Sequence, residues 1–131
     1  AEQFGTLATL YPDRIDLGLG RAPGSDGVTM QAMRRDPRAG VNDFPDRLDE
    51  LRRYLGDSVP GQRVRAIPGE GTHVPIWLLG SSGYSAQLAA RLGLPFALAG
   101  QFAPGYMIEA LHLYREGFQP GVLDKPHAMI A

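Results

Sequence analysis

No cysteine occurs among the 131 residues. That removes disulfides, thiolate metal sites and cysteine nucleophiles at once. An excess of one charge is also missing, since 13 Lys and Arg against 14 Asp and Glu leave a formal net charge of −1. A nucleic-acid binder ordinarily carries a basic face, so that class is set aside. No apolar run approaches the ~18 residues that a membrane helix needs. The opening AEQFGTLATLYP lacks the basic-then-apolar order of a signal peptide. A cytoplasmic location with no membrane partner is the expectation. His73, His112 and His127 are scattered and show no metal-ligand spacing, and no role is assigned to them.

What is abundant is Gly (17) and Pro (11), about one residue in five, alongside 44% hydrophobic and 21% charged residues. This is a globular composition with many turns. The length suits one domain, 1–131. Both ends look cut. Phe4, Leu7, Ala8 and Tyr11 already fall at helical spacing with no cap before them, and His127–Ala131 reads as a strand that stops. A fragment of a longer protein is expected.

Strand and helix signals alternate along the chain. A helix over 1–11 is followed by a turn at Pro12-Asp13 and a strand over 14–20. Residues 21–27 are rich in turn formers, and 28–35 suggest a short helix. Asp43 stands where it can cap a helix through Leu55, with Pro45 in the first turn and Leu48, Leu51, Tyr54 and Leu55 on one face. Residues 57–72 form a long connection. Val74–Gly80 is a continuous apolar run that fits a strand buried on both faces. A helix over 84–92 ends at Gly93, a strand covers 94–99, a helix runs from Pro104 to Phe118, and a last strand covers 125–131. This order implies an α/β fold with parallel strands, either a doubly wound sheet or about half of a (β/α)8 barrel.

Three stretches narrow the choice: AEQFGTLATLYPDRIDLGLGRAPGSD at 1–26, VPIWLLGSSGYSAQLAARLGLPFALAGQFAP at 74–104, and EALHLYREGFQP at 109–120. Together they resemble the bacterial-luciferase-like, flavin-dependent monooxygenases and reductases, nearest the subgroup with LGLGRAPG and LGSS-x-x-SAQLAA signatures. The resemblance covers essentially the whole chain. It implies a partial TIM barrel of about four strand–helix units, from the third helix to the seventh strand. It also implies FMN, or a deazaflavin in its place, as cofactor, with oxygen and a small organic substrate as reactants.

The turn Gly80–Ser85 joins a buried strand to a helix start. Free helix N–H groups, small residues and hydroxyls make it a seat for a phosphate, and the resemblance places the flavin phosphate at Ser82, Gly83, Tyr84 and Ser85, with Ser81 close by. An ordinary strand–helix turn with a Ser cap is the plain alternative. Arg21 follows a strand at the end that carries function in such barrels. The resemblance puts it near the flavin, whereas a surface pair with Asp26 or Asp36 is the plain alternative. Gln101, Phe102 and Tyr106 follow the third strand, 94–99, and are candidates for the substrate pocket, or for ordinary loop packing. No residue stands out as an acid–base catalyst, consistent with a cofactor that carries the hard chemistry. A reading of another class remains beside this one, in which an inactive half-barrel self-associates through its open strand edges and uncovered apolar face. Both readings expect a homo-oligomer.

Overall fold

The structure, a computed structural model, describes residues 1–21, 27–32 and 43–130. Its elements are α1 (Glu2–Leu10), β1 (Leu17–Gly20), α2 (Gly27–Ala32), α3 (Phe44–Leu55), β2 (Ile76–Gly80), α4 (Gly83–Leu92), β3 (Phe96–Leu98), α5 (Met107–Glu116) and β4 (Ala128–Ile130). The chain divides into two compact units, 1–17 with 27–75, and 18–26 with 76–131.

In the first unit, α1 buries Gly5 so closely against the Gly69 backbone that a side chain at position 5 would collide with it. Helix α3 carries Pro45 in its first turn, where the missing N–H has no intrahelical partner to lose. Its apolar stripe buries Leu48 and Leu55. Asp43 precedes this helix but does not cap it through its side chain. Its carboxylate takes the Arg47 Nε instead, at 2.7 Å. The connection after α3 is held by backbone bonds from Gly71 N to Gly56 O and from His73 N to Leu55 O, both 2.9 Å, and by the Arg65–Glu70 pair, with Nε to Oε2 at 2.6 Å. A groove of about 480 Å³ lies here, lined by Tyr54, Asp57, Val59, Arg63 and others. None of the residues expected at the cofactor or substrate site lines it. Asp26 and Asp36, the alternative partners for Arg21, lie outside the described residues.

The second unit holds the sheet. Its order is β1-β2-β3-β4, all parallel, with Leu78 opposite Phe96 and Phe96 opposite Ala128. Side chains alternate between the faces. Leu78, Phe96 and Leu98 are buried on the face that α4 and α5 cover. Leu79 and Met129, of opposite parity, are exposed. Gly18 leaves room for Leu79 on this second face, since a Cβ at position 18 would stand 2.9 Å from the Leu79 Cδ1. The helix layer is tight because its contacts are small. Ala86, Ala89, Ala90 and Ala110 are fully buried, which lets α4 and α5 approach closely.

The strands are shorter than the sequence suggests. Pairing begins at Leu17 rather than Arg14, at Ile76 rather than Val74, at Phe96 rather than Leu94 and at Ala128 rather than Lys125. Before β2 and β3, the apolar Val74 and Leu94 are buried without belonging to the strands themselves. The expected helix from Pro104 begins later. Two single turns of 3-10 helix, 100–102 and 104–106, precede α5.

Both connections that return the chain to the sheet's N-terminal edge are fixed by backbone geometry and one phenol. Gly93 ends α4 in the left-handed region (φ 60°), and a Cβ there would stand 2.6 Å from the Gly121 nitrogen. Tyr114 on α5 is fully buried. Its hydroxyl donates to the Leu94 carbonyl at 2.9 Å and accepts the His127 N–H at 3.0 Å. One side chain thereby ties the entrances of β3 and β4 to α5. Phe96 and Phe118 pack on its ring at centroid distances of 5.5 and 5.7 Å.

Candidate functional site

In a parallel sheet every strand ends at the same edge, so the segments after β1, β2 and β3 converge. Arg21 follows β1, Ser81 and Ser82 follow β2, and Gln101 and Phe102 follow β3. All the residues expected at the site lie in the second unit.

The turn after β2 is short because two glycines and two serines bracket it. Ser82 adopts extended backbone (φ −120°, ψ 159°) at the N-cap of α4, yet its side chain makes no cap hydrogen bond. The first amides of a helix have no intrahelical acceptor. Here the first bond back is from Ala86 N to Ser82 O, at 3.4 Å. The N–H groups of Gly83, Tyr84 and Ser85 have no acceptor among the described residues, and the positive end of the helix dipole lies behind them.

Each side chain around these amides has a definite place. Ser85 is buried, and its Oγ packs over Gly80, where any Cβ would displace it. Ser81 and Ser82 are half-buried. Arg21 lays its guanidinium over the Tyr84 ring, with Cζ 4.1 Å from the centroid. Such a contact contributes about 0.5–1 kcal/mol at a partly exposed site. It fixes the cation beside the first turn of α4, on the same edge of the sheet as the free amides.

Tyr106 comes back to this turn as well. A Cβ at Gly83 would lie 2.6 Å from the Tyr106 Oη, so the phenol reaches the start of α4 because position 83 has no side chain. Gln101 and Phe102 stay exposed, Phe102 at 78%. The structure brings Arg21, Tyr84, Gly83 and Tyr106 together, and it leaves Gln101 and Phe102 at the surface of the neighbouring turn. The Arg21–Tyr84 stacking and the Gly83–Tyr106 approach carry no local sequence signal, because each joins residues from different strand–helix connections.

A family model for luciferase-like monooxygenases matches residues 1–122. The chain belongs to the luciferase-like monooxygenase family. It is 62% identical to the protein YvbT of Bacillus subtilis (strain 168) and 58% identical to a luciferase-like monooxygenase of Escherichia coli (strain K12), in each case over 99% of this chain and 39% of the relative. An N-acetyl-S-alkylcysteine monooxygenase of Bacillus subtilis (strain 168) is 38% identical over 76% of the chain and 31% of its own length. The crystal structure of apo-MsnO8 superposes with a TM-score of 0.84 at 40% identity, covering 99% of this chain and 39% of that one. The chain thus spans about 39% of the length of YvbT and of the Escherichia coli relative. The four parallel strands and their helices form part of the barrel of this luciferase-like family. No helix among the described residues is long and apolar enough to cross a membrane.

Proposed function

We propose that the protein to which this chain belongs is a flavin-dependent monooxygenase that holds its cofactor's phosphate at the start of α4. The observation that carries this reading is the set of uncapped amides at Gly83, Tyr84 and Ser85, with the Arg21 guanidinium held over Tyr84 beside them. Family membership supports the oxygenase chemistry. The residues present fit a phosphate monoester. The amides and the Ser81 and Ser82 hydroxyls supply donors, and Arg21 supplies charge.

FMN is the proposed cofactor, with a deazaflavin as the variant. Reduced flavin, when bound, supplies the electrons with which oxygen is divided between substrate and water. The residues of this chain bind and orient. The α4 amides anchor the phosphate end, and Arg21 balances its charge. Gln101 and Phe102, on the adjoining turn, are proposed to face the substrate. The substrate class is a small organic molecule, as it is for the N-acetyl-S-alkylcysteine monooxygenase. Self-association belongs to the same proposal, since Leu79 and Met129 leave apolar surface on the second face of the sheet.

The test is a titration of the full-length protein with FMN and with riboflavin, followed by flavin fluorescence. The expected result is saturable binding with FMN at least ~10-fold tighter, the margin that one charge-assisted hydrogen bond provides. Equal affinity for both compounds would refute the phosphate seat, and no binding of either would refute FMN as the cofactor.

A further inference from the structure

We propose that the groove of the first unit, between the end of α3 and the turn 59–64, is a surface on which a second copy of this chain docks about a two-fold axis. It is separate from the sheet face named above and does not rest on the flavin reading. The groove, of about 480 Å³, is lined by Val59 and Val64 together with four charged residues, Glu50, Arg53, Asp57 and Arg63. The two valines are 64% and 62% exposed. Exposed apolar surface bordered by polar groups marks a contact site.

Two observations favour an identical copy as the occupant. The first is charge. The lining holds two acids and two arginines, yet neither arginine forms an ion pair with an acid among the described residues. Glu50 instead accepts the Tyr54 hydroxyl at 3.1 Å, and Asp57 bonds the His73 Nε2 at 3.0 Å. A small anion or a small cation entering the groove is repelled by one of the two pairs. A second copy turned about a two-fold axis sets acids against arginines on both sides at once, because such a contact is self-complementary. The second observation is that the apolar surface is held in place. The Gln62 side chain accepts the Val59 N–H at 3.3 Å and donates to the Val64 carbonyl at 2.8 Å, and the Gln62 N–H donates to the Val59 carbonyl at 3.1 Å. One side chain thus fixes both valines of the turn. A surface ordered before docking loses little conformational entropy on association.

The experiment measures self-association of the full-length protein by sedimentation velocity over a concentration series. Arg63→Glu, a change at an exposed side chain, is expected to raise the dissociation constant ~10-fold, because a two-fold contact carries each substitution twice and loses two exposed ion pairs together. Two double variants then test the pairing itself. Arg53→Glu/Arg63→Glu and Glu50→Arg/Asp57→Arg should each associate weakly alone, and an equimolar mixture of the two should associate as the wild type does. Recovery on mixing also shows that both variants are folded, and circular dichroism checks each one separately. An unchanged dissociation constant in Arg63→Glu would overturn the proposal and leave the groove to a different occupant. So would a wild-type protein that stays monomeric at the highest concentration run, or folded double variants that gain nothing on mixing.

Discussion

Tyr114 and Tyr106 stand at opposite ends of α5, and their hydroxyls are treated in opposite ways. Tyr114, at the edge where the strands begin, is fully enclosed and bonded to the Leu94 carbonyl and the His127 amide. Tyr106, at the edge where the strands end, is half-exposed and bonded to nothing among the described residues. The same contrast runs through the backbone around them. At the first edge, Leu94 N bonds Ala89 O, Gln119 N bonds Ala90 O, and Leu123 N bonds Gly93 O. At the second edge, the helix start has an N-cap serine that does not cap. Buried polar groups left unpaired are destabilising, so the first edge is where the fold is secured. A partly open edge tolerates free donors because water serves them, and there they remain ready for a ligand.

The sharpest way to break this comparison is at the secured edge. Gly93 holds φ 60° with Gly121 and Gln119 backbone against it. Gly93→Ala should destabilise by about 3 kcal/mol, combining the left-handed penalty with a clash that only backbone can relieve. Urea denaturation checks it. A loss below about 1 kcal/mol would show that the connection to Gly121 yields easily.

Tyr114→Phe tests the phenol alone. It leaves the Leu94 carbonyl and the His127 amide without their partner, a loss of about 2 kcal/mol in the same assay. Its pH dependence follows from burial, which pushes the Tyr114 hydroxyl above its ordinary range, with the His127 backbone bond pulling the other way. Because the folded-state value is raised, the contribution is fully present below the unfolded value near 10 and fades as pH rises through the folded one. Wild-type stability should therefore fall in alkali more steeply than that of Tyr114→Phe. Parallel curves would mean that the hydroxyl titrates as it does in the unfolded chain.

Much of the secured edge was legible in sequence and much of the open edge was not. The alternation of elements, the stop at Gly93 and the Ala-rich inner face of α4 are local patterns, and local patterns report periodicity and turn chemistry. Strand limits taken from hydrophobicity run too long at Arg14, Val74, Leu94 and Lys125, because hydrophobicity marks burial and not where a neighbouring ladder ends. Pro104 was a sound signal for a helical start, yet it opens a 3-10 turn, and the α-helix waits until Met107. At the site, the serine–glycine turn was visible as a motif. The inward turn of Ser85 over Gly80, the stacking of Arg21 on Tyr84 and the return of Tyr106 to Gly83 depend on how separate connections meet in space. No spacing in one segment encodes such meetings.

The smallest expected change tests the open edge. A serine at an N-cap usually contributes about 1 kcal/mol through the hydrogen bond from its side chain to the helix amides. Ser82 occupies that position with cap-like backbone angles and makes no such bond. Ser82→Ala should then shift stability by less than about 0.5 kcal/mol, the range of an ordinary surface change, while weakening FMN relative to riboflavin. A loss of a full kilocalorie in urea denaturation, with flavin selectivity intact, would mean that the serine caps α4 in solution. The amides would then have a resident partner, and the contrast between the two edges of the sheet would lose its meaning for function.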